Sequence, residues 1–554
     1  MKRTIFLICI FQCVLATAQN LTPTVRITNS FKAGGVEGER VSIPVTVPDS
    51  LANFDYKFDY SIFSTPYKGA YEFRPYSISF SPEPELSDEK SFWLRAGAGY
   101  SLHPEIQAVW NPVRKSGFRL GVHQDLCGYY GNYRSMANSV LNKFDETSLL
   151  TIRGYSFPGY DLSETFGADA RWMVKDASMC FGADYRGIFA KDNFMTSHFN
   201  AVRLKAGYSN PESAKVKFGL KVNFDLSGDN YPDLNVIDRT VFRENHFEAD
   251  GVVAPSVSEN MDLDVGYTLF YAGYSSRGTG WVDNTFGFSA RPVLAFHKEI
   301  FDVSAGVNIS YAGAGVKIAP LVDFSLFLLG RKLNVYARST GGYDFTTYSS
   351  LKESDHWFNA GYCNGISQKY DLFNVCAGIR GALAGRLQYD LSAGYAMTED
   401  MPMYTFLLNG YRLSPSLGFG TCNVFSATAR LAWRSQNFDA DGSLVYRSTN
   451  LGDNAEFLDF PAFAANVRVL YNYRHRIYGG VRMECASSRS MTLASKRLNV
   501  PAYFDLGLYG EYRMTAKLAF WLQAANLLNQ PVQRVPMHVE QGVSATVGIR
   551  LDLQ

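Results

Sequence analysis

The stretch QGVSATVGIRLDLQ, residues 541–554, alternates apolar and polar side chains without interruption. From Val543 to Leu553 every second residue is apolar, and the residues between them are polar or glycine. Successive side chains of a β-strand point to opposite faces, so this stretch predicts one strand with an apolar and a polar face. A tilted strand needs about 9 to 11 residues to cross a bilayer, whereas most strands of soluble proteins have about 5 to 6.

The same period returns along the chain as far back as about residue 92. Further runs of spanning length are Val216–Leu226, Met261–Tyr271, Phe301–Tyr311, Leu387–Met397, Phe463–Tyr473 and Phe504–Met514. In the run from Val216, Lys217 and Asp225 share the polar face, and such charges need water on their side. In lipid only helices and closed barrels satisfy every backbone polar group. We therefore predict an all-β fold, a transmembrane antiparallel up-and-down barrel of about 22 strands with a hydrated lumen.

The two faces can be tested by substitution in the run Phe301–Tyr311. If Val307 faces lipid at mid-bilayer, Val307→Arg should cost about 2 to 4 kcal/mol. Asn308 lies on the other face, and the alternation predicts that Asn308→Arg is mild.

The composition fits this class and excludes others. The chain has 554 residues, 46% of them hydrophobic, and its mean hydropathy of −0.12 is low for a helical membrane protein. A net charge of +1 with intermixed signs gives no basic stripe, so no nucleic-acid partner is expected. Aromatic residues make up 15% of the chain, and tyrosines near run ends predict girdles at the membrane interfaces: Tyr100, Tyr208, Tyr271, Tyr311, Tyr395 and Tyr473.

The first 18 residues resemble a secretory signal peptide. Lys2 and Arg3 precede an apolar run from Ile5 to Phe11, and residues 16–18 read Ala-Thr-Ala, a small-residue cleavage site. We expect residues 1–18 to be removed, and no later window holds about 18 consecutive apolar residues. Export of a chain that spans with strands indicates the outer membrane of a Gram-negative type cell, with outer-membrane lipid as its surroundings.

Two regions follow the signal. Residues 19–90 hold only short candidate strands separated by prolines, which interrupt strand pairing. We interpret them as a periplasmic extension; whether it enters or covers the lumen, or only tethers, stays open. Residues 91–554 are predicted to be one barrel domain, with turns at 210–213, 227–233 and 448–453.

The search for catalytic or metal-binding groups gives only weak candidates. His123 and Asp125 share one face of a strand, and a structural role for this pair is favoured over a catalytic one. Residues 277–280, Arg-Gly-Thr-Gly, form a glycine-rich turn, but no helix follows that could cradle a phosphate. We expect no enzyme activity, no metal site and no cofactor. The six cysteines after the signal lie too far apart for metal-ligand spacing: Cys127, Cys180, Cys363, Cys376, Cys422 and Cys485.

Charges on the polar faces are the remaining functional signal. Basic residues occupy two parts of the chain, one set comprising Lys215, Lys217 and Lys221 and the other Arg430, Arg434, Arg468, Arg474 and Arg482. If they meet they could attract an anionic solute. Because Asp439, Asp441 and Glu484 lie nearby in sequence, a solvated ion network is the favoured interpretation.

The last 50 residues carry a more specific resemblance. Tyr503 to Leu506 lead into Glu511 to Arg513, and residues 525–530 then read Ala-Asn-Leu-Leu-Asn-Gln. This pattern is similar to the closing strands of TonB-dependent receptor barrels, which carry a comparable turn before the final strand. In it, Leu518, Phe520 and Leu522 complete a spanning strand, and the side chains of Asn526 and Asn529 are expected to bond local backbone groups in a turn.

The chain departs from that family in two ways. The 70 or so residues before the barrel are too few for the family's globular plug, and the chain ends in Leu553 and Gln554, where a terminal aromatic is common. It therefore resembles the plug-less relatives of the family. The resemblance implies transport or binding of a solute, alone or with an envelope partner that supplies a plug or energy coupling. A structural or assembly scaffold without transport is the alternative.

Overall fold

The computed structural model describes residues 91–553, apart from 101, 116, 137–146, 149–151, 175–176, 192–195, 211–213, 233–238, 259, 278–282, 314, 330–331, 359, 361–364, 384–385, 410–411, 453–455 and 494–495. The expected signal peptide (1–18) and extension (19–90) lie outside the described residues. Cys363 also lies outside them, and the cysteines at 127, 180, 376, 422 and 485 are free.

The described chain is almost entirely β-strand. Its strands in chain order are β1 (Phe92–Gly99), β2 (Glu105–Lys115), β3 (Phe118–Met136), β4 (Thr147–Ser148), β5 (Ile152–Val174), β6 (Ala177–Lys191), β7 (Thr196–Ser209), β8 (Val216–Pro232), β9 (Arg239–Ser258), β10 (Met261–Arg277), β11 (Thr285–His297), β12 (Phe301–Ala312), β13 (Val316–Leu328), β14 (Leu333–Asp344), β15 (Lys369–Leu383), β16 (Leu387–Asn409), β17 (Arg412–Arg434), β18 (Phe438–Asn450), β19 (Phe463–Tyr473), β20 (Ile477–Ala486), β21 (Arg489–Leu493), β22 (Lys496–Val500), β23 (Tyr503–Arg513), β24 (Leu518–Ala525) and β25 (Ser544–Leu553). One helix, α1 (Tyr348–Ser354), lies between β14 and β15. It is too short and too polar to cross a membrane, and no other described helix could do so.

Twenty-two of these strands form one closed antiparallel sheet. Each pairs with its neighbour along the chain, and β1 pairs with β25 from Phe92 opposite Leu553 to Gly99 opposite Thr546. That last pairing removes the free edges, so the sheet is a barrel, as predicted. Strands β4, β21 and β22 form a small separate sheet that is not part of the barrel wall.

The connections divide the barrel into two ends. Tight turns join strands at one end, for example at residues 434–438 and 473–477, and we call this the short-turn end. Longer connections, such as 344–369 and 525–544, lie at the other, which we call the long-loop end. In bacterial outer-membrane barrels the short turns are periplasmic and the long loops extracellular.

The apolar face of the strands points outward, as the alternation predicts. On β12, Val307 and Ile309 are each 38% exposed, whereas Asn308 and Ser310 are buried on the lumen side. Aromatic rings on the outer face lie opposite one another across neighbouring strands, as in Tyr271 with Phe286 and Tyr446 with Phe463. Both pairs lie toward the long-loop end of their strands, and the girdles themselves stay a prediction.

Three sequence-based expectations need correction. The predicted turn at 227–233 is wrong for its first six residues, because β8 continues to Pro232 and pairs there with Arg239 of β9. Likewise β18 runs to Asn450, so the connection predicted at 448–453 begins later. The expected mildness of Asn308→Arg is also wrong in its premise. Asn308 faces the lumen but is only 6% exposed, accepts a hydrogen bond from Ser289 and donates one to the Gly341 carbonyl.

Candidate functional site

The lumen is the candidate functional site. His123 and Asp125, which the sequence suggested as a pair, have different partners there. His123 Nδ1 lies 3.4 Å from Asp169 Oδ2, and His123 Nε2 lies 3.4 Å from Asp184 Oδ1. Asp125 instead accepts a hydrogen bond from Gln107 of β2. His123 therefore bridges β3 to β5 and β6, which is the favoured structural role.

The same three side chains are the one described group whose ligand atoms lie close enough together to hold a metal ion. Both ring nitrogens of His123 face a carboxylate, which is the geometry of an imidazolium that donates to two acids. Lys205 also pairs with Asp184. A metal would require one bare ring nitrogen and displacement of this lysine, so the contacts are those of an ion network.

The two predicted sets of basic residues do not meet. Lys215, Lys217 and Lys221 are exposed on or just before β8, which lies across the ring from β17 to β20. Arg434 and Arg468 both pair with Asp441, and Arg482 pairs with Glu484, so the predicted ion network is confirmed for these residues. Asp439 is buried nearby, Arg430 is exposed, and Arg474 lies at the short-turn rim.

A segment that sequence reasoning missed dominates the lumen at the long-loop end. Residues 345–368, which we call the crossing segment, leave β14 and return to β15. At its base Thr346 N donates to Gln368 Oε1 and Gln368 Nε2 donates to the Thr346 carbonyl, so the two ends are clasped together. Phe345 stacks on Phe270 of β10 at 4.5 Å, which turns the chain toward the lumen.

Helix α1 of the crossing segment starts at a strong local signal. Thr347 is its N-cap and forms a capping box with Ser350, in which each side chain bonds the other's backbone N–H. Tyr348 and Leu351 pack in a buried cluster with Phe199 and Phe242 of the wall and with Leu417 of β17. The helix therefore contacts wall strands on both sides of its own attachment.

A buried polar cluster fixes α1 to β7 and β8. Lys352 Nζ donates to Ser197 Oγ and to the Phe358 carbonyl, each at 2.6 Å, and lies 3.3 Å from Asp229 Oδ2. Tyr348 donates its hydroxyl to Asp229 Oδ2, and Ser197 donates to Oδ1. The cluster thus satisfies a fully buried ammonium with one carboxylate and two further oxygens.

A second acid holds the start of the helix. Glu244 of β9 is 1% exposed and accepts hydrogen bonds from the backbone N–H groups of Tyr348 and Ser349. These are among the free donors of the first helical turn, where a negative charge is favourable. Glu244 also bonds Ser227 of β8, so the wall itself supplies this anchor.

The far end of the crossing segment reaches the opposite wall. Trp357 meets Tyr133 of β3 edge to face at 6.1 Å, and β3 lies half-way round the ring from β14 and β15. His356 Nδ1 lies 2.7 Å from Asp161 of β5, and Tyr404 of β16 donates to Asp355. The contacts with β3 and β5, on the opposite side of the ring from β14 and β15, show that the segment spans the lumen.

The closing turn of the barrel agrees with its prediction in one residue of two. Asn526 has a positive φ of 46°, donates to the Gln530 carbonyl and accepts from the Gln530 N–H, as expected. The Asn529 side chain instead accepts from Arg134 of β3. It therefore joins the loop before β25 to β3, which lies three strands from β25 round the ring.

A buried arginine of that loop ties it to the barrel wall. Arg534 is 6% exposed and donates to Glu484 of β20 and Asp505 of β23, and it also pairs with Glu540. His538 of the same loop stacks on Trp357 at 4.6 Å. The long-loop end thus has two inward elements, the crossing segment and residues 526–543, in contact with each other.

Comparison with known proteins shows the fold. No protein-family model matches the sequence, and no curated protein matches it. The copper transporter OprC is 12% identical with a TM-score of 0.62, over 83% of this chain and 80% of OprC. The FrpB iron transporter from Neisseria meningitidis (F5-1 variant) is 9% identical with a TM-score of 0.64, over 83% and 82%. The ferric enterobactin receptor PfeA from Pseudomonas aeruginosa, a mutant in complex with enterobactin, is 10% identical with a TM-score of 0.62, over 83% and 81%. The predicted resemblance to TonB-dependent receptor barrels is confirmed as a likeness of fold, and the lack of a plug stays a prediction.

Proposed function

We propose that the protein is an outer-membrane transport barrel that passes a small polar solute through a lumen gated by the crossing segment. A wall with an apolar exterior and a lumen lined by ion pairs supports a conduit for polar molecules. The structural neighbours named for copper, iron and ferric enterobactin support transport as the class of function.

The proposed setting follows from the same features. Export by the expected signal peptide would deliver the barrel to the outer membrane, with the short-turn end toward the periplasm. An envelope partner that supplies a plug or energy coupling would act at that end. The crossing segment would then face a solute that arrives from outside.

The observation that carries the proposal is how the crossing segment is attached. It reaches the far wall through the polar contact of His356 with Asp161 of β5 and the ring contact of Trp357 with Tyr133 of β3. Contacts of this kind can be exchanged for water at modest cost, unlike a continuous strand ladder. The tip of the segment can therefore leave the far wall while the barrel wall stays closed, and release of the whole segment also requires the buried Lys352 anchor to open.

Flux through proteoliposomes tests the proposal. Vesicles with the full-length protein are mixed with uncharged sugars of graded size, and their swelling rate is recorded. We expect slow swelling for the wild type and several-fold faster swelling for Lys352→Met, which loses the buried anchor. Lys191→Met removes an exposed lysine at the same end of the barrel and should match the wild type.

A scaffold without transport is the second candidate, because the same crossing segment obstructs the lumen. In that case all three proteins would swell no faster than vesicles without protein, although circular dichroism shows each barrel folded. This outcome would contradict transport.

A further inference from the structure

A basic cavity of about 560 Å³ opens at the short-turn end, between the β19–β20 and β23–β24 turns. The ionisable residues of its lining are six bases and a single acid: Arg474, His475, Arg476, Arg513, Lys517, Arg550 and Asp552. This cavity lies at the end of the barrel opposite the crossing segment.

Only part of this positive charge is neutralised in the described chain. Arg513 pairs with Glu511, and Arg550 pairs with both Glu511 and Asp552. Arg474, Arg476 and Lys517 are exposed and have no ion pair with any described residue. Three cations therefore converge without a described counter-charge.

The β19–β20 turn has a backbone conformation that is unfavourable for the side chains of Arg474 and His475. Within the three-residue connection 474–476, the Arg476 N–H closes a turn onto the Tyr473 carbonyl. Arg474 and His475, the two central residues of this turn, have φ of 52° and 56° and so lie in the left-handed region. Such turns favour Asn-Gly, because side chains with a Cβ are strained there. Keeping a long basic side chain at this place indicates that its charge is used.

The cavity opens on the lumen side of the rim and away from lipid. Arg550 is only 8% exposed and bonds Glu511 inside the barrel, whereas Tyr512, the neighbour of Glu511, is 48% exposed on the outer face. The occupant should therefore be a negatively charged group that approaches the mouth of the lumen from the short-turn side.

We propose that the occupant is the chain's own acidic stretch, residues 83–89, docked along the short-turn rim. It reads Glu-Pro-Glu-Leu-Ser-Asp-Glu, with four carboxylates, and it ends just before Ser91, which bonds Leu553 at this end of the barrel. Asp552, next to Leu553, also bonds the Lys517 carbonyl. The acidic stretch is thus tethered beside the cavity at a high effective concentration.

The distances along the rim match the reach of residues 83–89 from Ser91. From β1, the β23–β24 turn lies two to three strands away, about 10 to 14 Å, and the β19–β20 turn four to five strands away, about 19 to 24 Å. An extended chain covers about 3.3 Å per residue, so Asp88 reaches about 10 Å from Ser91, and Glu85 and Glu83 about 20 to 26 Å. Asp88 therefore matches Lys517, and Glu85 and Glu83 match Arg476 and Arg474.

Zero-length carbodiimide cross-linking of the full-length protein in detergent tests this docking. The reagent joins a lysine amine to a carboxylate in contact, and mass spectrometry locates the link. We expect a link from Lys517 to Asp88 or Glu89. The adjacent pair Lys317 and Glu399 serves as internal control for folding and for the reagent. No Lys517 link to residues 83–89, while the control link forms, overturns the proposal.

Charge reversal separates docking from mere tethering. Arg474→Glu with Arg476→Glu lies four to five strands from the tether and should lower the Lys517 link about fivefold or more. Adding Glu83→Lys and Glu85→Lys should restore it. Lys332→Glu, at the β13–β14 turn on another part of the rim, should leave it unchanged. A Lys517 link of unchanged yield in the arginine-reversed protein would show that the stretch is only tethered nearby. A link that forms in phosphatidylcholine vesicles but disappears in phosphatidylglycerol vesicles would show that an anionic lipid is the occupant. Either result contradicts the docking.

Discussion

Lys352 Nζ lies 3.3 Å from Asp229 Oδ2, and neither side chain has any exposed surface. Lys352 belongs to the crossing segment and Asp229 to the wall strand β8, so this ion pair joins the segment to the wall. Removing one partner of a buried pair leaves an uncompensated charge, which commonly costs about 3 to 5 kcal/mol. The attachment of the crossing segment should therefore depend strongly on this one lysine.

Lys352→Met is expected to release α1 while the wall stays intact. Hydrogen exchange of the amides of residues 348–356 should become at least about a hundredfold faster, in line with a loss of about 3 kcal/mol or more. Amides of β12 should be unchanged, and Lys191→Met should behave as the wild type. Equal exchange in both variants would show that the pair does not hold the segment.

Val307→Arg should destabilise the barrel in lipid vesicles by about 2 to 4 kcal/mol, because Val307 faces the bilayer near its middle. Ser304→Arg is the matched control, since Ser304 is partly exposed on the lumen side of the same strand. The free energy of unfolding in denaturant is the readout. Similar losses for both variants would place β12 in a uniform environment and contradict the two faces.

The contact of His356 with Asp161 should make the gate sensitive to pH. Burial lowers the pKa of His356 and Lys352 opposes its charge, but the Asp161 carboxylate, helped by Asp355, outweighs them and raises the pKa above its usual value. The contact therefore stabilises the closed segment fully below about pH 6.5 and is lost as the pH rises through the folded-state pKa. Sugar flux should rise as the pH is raised above about 6.5 in the wild type and be flat in Asp161→Asn. A wild-type flux independent of pH would count against this role.

Arg534→Met should cost about 3 to 5 kcal/mol, because Glu484, Asp505 and Glu540 would lose their shared buried cation. Unfolding in denaturant measures the loss. Arg430→Met, an exposed arginine of the wall, should change stability by about 0.5 kcal/mol or less. A loss below about 1 kcal/mol for Arg534→Met would show that the loop before β25 does not depend on this cluster.

Gly97→Ala should impair the seam where the barrel closes. A Cβ at Gly97 would lie 2.6 Å from Trp521 Cη2 and 2.8 Å from the Val547 carbonyl oxygen, so β1 or β25 must shift. Overpacking of this kind costs about 1 to 3 kcal/mol. Gly479→Ala is the control, because nothing lies within 4 Å of its added carbon. The yield of refolded barrel should fall for the first variant only; equal yields would mean that the seam tolerates the extra volume.

The wall could be predicted from sequence because its pattern is local. The bounds predicted for Phe463–Tyr473 are those of β19, and the face assigned to Val307 is its face in the barrel. Strand ends were less predictable where pairing continues beyond the membrane, as in β8 to Pro232. In such places the strand ends where backbone pairing with its neighbour ends, and no change in the hydrophobic period marks that point.

The crossing segment could not be predicted from sequence because the contacts that place it are not local. Its anchors join residues far apart in sequence, such as Lys352 and Ser197, which are 155 positions apart. Two local signs were present: the alternation stops after Tyr343, and Thr347 with Ser350 forms a helix start. Neither indicates that the segment turns into the lumen, which depends on buried acids of β8 and β9.

The most direct test of whether the crossing segment obstructs the lumen is the planar-bilayer conductance of a barrel in which this segment is replaced. Residues 348–358 are exchanged for a Gly-Ser stretch of the same length, which keeps the clasp of Thr346 with Gln368. If the crossing segment obstructs a water-filled lumen, single channels of this variant will conduct steadily with larger steps than the wild type. Steps of equal size in both proteins, or silence in the variant despite a folded barrel, would contradict the claim.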